Sequence, residues 1–194
     1  KETAVCNLAS IALNHSLTPF KSRSQWTIYS KPDCNFCTLA KAFMNSKNFK
    51  ITEKNVLELD DEEEEEFFDK MDGKGKITYP QIFYGKKHIG GFNDMIQFTV
   101  DKYDFEDLWK TAYEATHNLN KIIDINYYPT IEAKRSNMRH RPIGLGIQGL
   151  SDTLLRMKIN FDSNEALNFS EQSMETIYHA AITASNDISK ERND

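Results

Sequence analysis

The chain has 194 residues, 39 % of them apolar and 27 % charged, with a formal net charge of −5. This balance indicates a soluble globular protein of one or two domains and argues against a nucleic-acid-binding face. No apolar run approaches the roughly 20 residues needed to cross a bilayer, so no membrane partner is expected. The three cysteines, Cys6, Cys34 and Cys37, are too few for a secreted disulfide framework and fit a cytoplasmic location with a working thiol pair. The start, K-E-T-A-V-C-N-L-A-S, has no basic region leading into an apolar core and no initiator Met. That pattern predicts no signal peptide and a fragment or processed product.

Taken in chain order, residues 1–17 read as short and helix-like, with Leu8, Ile11, Ala12 and Leu13 as candidate buried positions. Residues 18–24 carry Pro and small polar residues and read as a linker. The pattern then changes. Gln25–Ser30 is β-rich. Cys37–Asn48 has helical spacing, with Leu39, Ala42, Phe43 and Met44 on one side. Phe49–Leu57 predicts a second strand, and Glu62–Met71 a helix ended by Asp72-Gly73-Lys74-Gly75. The acidic run Asp60–Glu66 suits a helix start, with a docking patch for a basic partner as the sharper alternative. Tyr79–Tyr84 and Lys87–Ile89 predict strands around a turn at Gly85, and Asn93–Val100 a closing helix. The order β-α-β-α-β-β-α predicts a small α/β domain.

From Tyr103 the chain is mainly helical. Phe105–Ile125 carries Leu108, Ala112, Ala115, Leu119 and Ile122 at three- and four-residue steps, and Tyr127-Tyr128-Pro129 ends it. Ile143–Leu150 alternates glycine with apolar residues. Its G-x-G-x-x-G lacks the setting of a dinucleotide fingerprint and reads as a buried strand or tight packing segment. Ser163-Asn164-Glu165-Ala166 reads as a helix start, followed by a long amphipathic stretch to Arg192.

The chemistry concentrates at Cys34 and Cys37. A structural zinc site needs four ligands, and the chain has no second Cys pair and no closely spaced His pair, so no metal is expected. A Cys-x-x-Cys at a helix start instead puts the first sulfur beside orphan N–H groups and the positive end of the helix dipole. Both favour a thiolate at Cys34, to which Lys31 adds positive charge. Cys34 is expected to attack a disulfide and Cys37 to resolve the mixed disulfide. Pro80 stands at a strand entrance, where proline cannot donate to a ladder. A cis Tyr79–Pro80 bond would expose the preceding backbone for pairing with an extended thiol peptide.

Residues 25–100 resemble a glutaredoxin through K-P-D-C-N-F-C, T-Y-P-Q-I-F and H-I-G-G-F-N-D, three motifs in that family's order. The resemblance implies a thioredoxin-like fold and glutathione as reductant. Carried over by position, Lys31 and Asp94 would pair with the charged ends of glutathione, and Phe36 stands where the family usually has Tyr. Tyr79 would offer backbone hydrogen bonds beside Pro80, and Gly91, Phe92 and Asn93 would hold the γ-glutamyl end. The departure is Asn35, where the common motif has Pro, which leaves the redox potential open.

The flanks resemble the large subunit of class I ribonucleotide reductase. E-T-A-V-C-N-L-A-S-I-A-L-N, N-L-N-K-I-I-D-I-N-Y-Y-P, R-H-R-P-I-G-L-G-I-Q-G-L-S-D and E-T-I-Y-H-A-A carry the likeness. It implies that Cys6 is one half of the dithiol oxidised during ribonucleotide reduction. The partner cysteine, the radical cysteine, the allosteric site, the tail cysteines and the radical-transfer tyrosines have no counterpart here, and Tyr127 and Tyr128 are not that tyrosine pair. The expected partners are glutathione, the remainder of the large subunit and the small radical-bearing subunit.

The expected architecture is a glutaredoxin domain at 19–102 inserted in a mainly α-helical fragment of the reductase barrel, with flanks 1–18 and 103–194. The expected function is re-reduction of the reductase disulfide for deoxyribonucleotide synthesis, with no ribonucleotide reduction by this fragment alone. The alternative is a non-catalytic module that binds glutathione, an iron–sulfur cluster or an assembly partner.

Overall fold

The computed structural model describes residues 2–71 and 77–192, so the expected helix end at Asp72–Gly75 lies outside the described residues. The chain forms two compact units, Lys1–Pro19 with Asp101–Asp194, and Phe20–Val100.

The first unit opens with a strand rather than the expected helix. Strand β1 spans Asn7–Ala12, a 3-10 turn covers Leu13–Ser16, and β2 is Leu17–Thr18. Ile11 and Leu13 are buried as expected, but Leu8 is 76 % exposed. The apolar residues here are too few to separate a period of 3.6 from one of 2. The decision falls to a distant partner strand that satisfies the backbone groups a helix would have satisfied internally.

The second unit holds β3 (Trp26–Ser30), α1 (Asn35–Ser46), β4 (Ile51–Asn55), α2 (Asp61–Lys70), β5 (Gln81–Tyr84), β6 (Lys87–Gly90) and α3 (Phe92–Phe98). Its sheet runs β4-β3-β5-β6, with β3 and β4 parallel across the α1 crossover and the other pairs antiparallel. This is the thioredoxin-like arrangement. Both sheet faces are covered. Trp26, Ile28 and Ile82 pack with Ala40, Met44 and Met95 on one side, while Tyr29 and Phe83 pack with Phe67 and Met71 on the other. Trp26 stacks on Phe49 with ring centres 5.2 Å apart. Double coverage explains why β3 shows no polar alternation.

Helix α1 starts at Asn35, and its buried stripe is Cys37, Ala40 and Met44. The expected Leu39 is half exposed because the apolar seam runs through the cysteine, a residue that buries as readily as a hydrophobe. At α2 the acidic run does serve as a helix start. The Asp60 side chain accepts from Glu63 N at 2.8 Å, and Glu63 also pairs with Lys54.

The first unit resumes with β7 (Lys102–Tyr103), α4 (Phe105–Ile125), α5 (Ile131–His140), β8 (Ile143–Gln148), α6 (Leu150–Arg156) and α7 (Asn164–Glu191). β7 pairs antiparallel with β2, Leu17 against Tyr103 and Thr18 against Lys102. β8 runs parallel to β1 from Asn7↔Ile143 to Ala12↔Gln148. The glycine-rich run is therefore a strand. Gly144 lies opposite Leu8, and a Cβ there would come within 2.7 Å of Leu8 Cδ2. Helices α4 and α7 pack through Leu108, Ala112, Thr116, Leu119 and Ile123 against Ala166, Phe169, Ser173, Ile177, Ala180 and Ala184. The buried hydroxyls of Thr116 and Ser173 donate to carbonyls four residues back, which removes the cost of burying them. The expected Ile122 is replaced in the seam by Ile123.

Helix α5 had no expectation, because its residues are mostly polar. It is set by its ends. Thr130 accepts from Ala133 N, and Arg141 closes the helix in the left-handed region. The Arg141 guanidinium grips Asp124 at 2.9 Å through both NH groups and holds that carboxyl below its usual range.

Trp26 is fully buried among aromatic rings. Trp26→Ala should destabilise the Phe20–Val100 unit by roughly 3–5 kcal/mol, seen as faster amide exchange throughout its sheet.

Candidate active site

The site forms where β3 ends. Lys31–Asp33 turn the chain, with Asp33 at φ 54°, and deliver Cys34 to the N-cap of α1. The Cys34 sulfur accepts from the Cys37 backbone N–H at 3.2 Å, and the two sulfurs are joined as a disulfide with Cα atoms 5.2 Å apart. Cys34 is partly exposed and Cys37 is buried. This is the asymmetry that a helix start imposes. The cap position faces outward, and the residue one turn on faces the core.

Across from the disulfide the Tyr79–Pro80 peptide is cis, and the Tyr79 carbonyl oxygen lies 3.6 Å from Cys34 Sγ. A groove of about 220 Å³ runs beside it, lined by Phe36, Thr78, Tyr79, Pro80, Gly91, Phe92, Asn93 and Asp94. Phe36 is 56 % exposed, and its ring centre stands 6.3 Å from that of Phe92. Lys31 Nζ sits 5.8 Å from the Tyr79 ring centre, a cation–π distance. Asp94, in the first turn of α3, accepts from Gly91 N at 2.8 Å and so ties the backbone ahead of the helix to its start. Its carboxylate is thereby fixed at the groove, beside the N-terminal end of α3.

Cys34, Cys37, Phe36, Tyr79, Pro80, Gly91, Phe92, Asn93 and Asp94 therefore surround one edge of the second unit, with Lys31 against Tyr79. Cys6 belongs to the first unit, where it is exposed just ahead of β1. Sequence reasoning missed Thr78, which lines the groove, and Gln81, whose side-chain amide donates to the Thr78 carbonyl at 2.6 Å. The available signal was a long polar residue in the otherwise apolar run Pro80–Tyr84. Among the described residues, no group of three or more His, Cys, Asp or Glu side chains is placed to hold a metal ion. No helix among them is long and apolar enough to cross a membrane.

Comparison with known proteins gives the setting. The family model described as "Ribonucleotide reductase, barrel domain" matches residues 89–194, more than half of the chain. The chain belongs to the ribonucleotide reductase barrel-domain family. The glutaredoxin family model matches residues 26–89, so a glutaredoxin domain sits within this reductase segment. The "Ribonucleoside-diphosphate reductase large chain" of Neurospora crassa is 52 % identical over 97 residues, which is 50 % of this chain and 10 % of that one. The large chain of Schizosaccharomyces pombe is 53 % identical over 89 residues, 46 % of this chain and 11 % of that one. The chain spans about a tenth of the length of these reductase relatives. Among solved structures, a glutaredoxin from Brucella melitensis is 32 % identical, covering 39 % of this chain and 78 % of its own, with a TM-score of 0.31. The two family matches mark a redox domain within a reductase segment.

Gly90 precedes the cap of α3 at φ +116°, and a Cβ there would collide with the Asp94 carboxylate. Gly90→Ala should therefore strain the turn by about 1–3 kcal/mol, with accelerated amide exchange in the first turn of α3.

Proposed function

We propose that the Phe20–Val100 unit is a glutathione-dependent thiol–disulfide oxidoreductase that re-reduces a disulfide of the ribonucleotide reductase to which the segment belongs. The observation that carries this reading is the Cys34–Cys37 pair at the start of α1, facing the Tyr79–Pro80 edge and its groove.

The reduced pair starts the cycle. The Cys34 thiolate attacks one sulfur of the client disulfide, forms a mixed disulfide and releases a client thiolate. Cys37 then attacks the Cys34 sulfur, releases the second client thiolate and leaves the Cys34–Cys37 disulfide. Two glutathione thiols return the pair to its reduced state and leave as one glutathione disulfide.

The groove suits glutathione as the reducing substrate. The extended backbone at Tyr79 offers strand-like pairing. The N-terminus of α3 favours a carboxylate at Gly91–Asn93. Lys31 and Asp94 supply opposite charges for the peptide's ends, and Phe36 with Phe92 gives an apolar wall. Cys6 is the proposed half of the client's active-site dithiol. The remaining large subunit, the small radical-bearing subunit and a cytoplasmic setting complete the assignment. Placing reductant and client in one chain raises their mutual concentration, to about the millimolar range where the geometry permits contact.

Cys34→Ser should abolish reduction of both protein disulfides and glutathione mixed disulfides in a glutathione-coupled assay. Cys37→Ser should lose only the protein-disulfide activity, because the mixed disulfide with glutathione needs no resolving thiol. Full dithiol turnover by the Cys34 variant would rule the reading out.

A further inference from the structure

The groove wall is held by a polar pair that no step above uses. Gln81, on β5, is only 7 % exposed, and its Nε2 donates to the Thr78 carbonyl at 2.6 Å. Its Oε1 lies 2.7 Å from His88 Nε2 on the neighbouring strand β6. The His88 ring is braced against Phe83, with centres 4.8 Å apart. A carbonyl can only accept, so the amide nitrogen of Gln81 must face Thr78 and its oxygen must face His88. That orientation requires a hydrogen on His88 Nε2, which the neutral Nε2–H tautomer and the imidazolium both supply. The chain of contacts leads directly to the groove, because Thr78 and Tyr79 line it and Tyr79 O lies beside Cys34 Sγ.

We infer that Gln81 is a positioning residue for the redox site: oriented by His88, its amide fixes the Thr78 carbonyl and thereby sets the Thr78–Tyr79–Pro80 backbone against which the thiol substrate lies. This rests on the reading of the groove as the substrate site. Gln81 is pinned within the sheet opposite Tyr29, whereas Thr78–Pro80 lie outside any strand. The amide therefore ties an irregular segment to a rigid one, which is how a binding edge keeps its shape between turnovers.

The test is Gln81→Glu in the full chain. The carboxylate keeps one oxygen to accept from His88 but sets the other against the Thr78 carbonyl, where the donor had been. KM for a glutathione mixed disulfide should rise about tenfold, with kcat changed less than about twofold. The 15N relaxation of Thr78 and Tyr79 should show increased motion in the unliganded protein. His88→Leu, which removes the donor to Gln81, should shift both readouts in the same direction. His88→Gln, which keeps an N–H donor, should restore them, and this pair carries the test if Gln81→Glu fails to fold. A folded Gln81→Glu protein with unchanged Thr78–Tyr79 motion and unchanged KM would overturn the inference. A wild-type chain inactive on glutathione substrates would instead defeat the proposed function. The positioning role would then be decided by the relaxation data alone.

Discussion

The Cys34 sulfur occupies the cap position of helix α1, where it accepts the N–H of Cys37 and lies against the Tyr79 carbonyl. A helix must satisfy or expose its first N–H groups, and here a sulfur meets part of that demand. The same placement that completes the helix puts one thiol at the surface and buries the other. It also aims the exposed sulfur at the only cis peptide found among the described residues. Lys31, Phe36 and the groove are arranged around that contact, and the two-sided core of β3 keeps its base from shifting.

The second constraint lies in the host. Leu17–Thr18 and Lys102–Tyr103 form a short antiparallel pair, and Asp104 N donates to Ser16 O at 2.8 Å. The two chain ends that leave the first unit are therefore clamped side by side, as at the mouth of a hairpin. A domain placed between such ends adds little closure entropy beyond that of a surface loop, because the cost grows only slowly with loop length. This explains how a reductase segment accommodates some eighty residues of foreign fold while β1 still reaches β8 and α4 still packs on α7.

Much of this was legible in the sequence, and the parts that were not share a cause. The strand and helix order of the second unit, the limits of α4 and the Ser163 start of α7 all follow from local patterns, whether caps, turns or long amphipathic repeats. The cysteine pair and the proline were legible because their chemistry restricts where they can stand. β1 was misread because its conformation depends on a strand more than a hundred residues away. α5 was missed because its stability comes from Thr130 and from the Arg141–Asp124 clamp rather than from an apolar stripe. The buried face of α1 was misjudged because Cys37 serves as part of its core. Gln81 and His88 stand inside T-Y-P-Q-I-F and H-I-G-G-F-N-D, but neither motif shows that the two side chains meet, because only the β5–β6 register brings them together.

The proposed function requires Cys34 and Cys37 to form a working redox pair that exchanges with glutathione. The most direct measurement equilibrates the chain in glutathione buffers of graded potential, followed by thiol labelling and mass spectrometry. The pair should convert reversibly by two electrons with a midpoint between about −180 and −320 mV, the span of glutathione poises. A glutathione adduct should be trapped on Cys34 when Cys37 is replaced by Ser. A pair that stays oxidised or stays reduced across that whole range, with no adduct on Cys34, would contradict it.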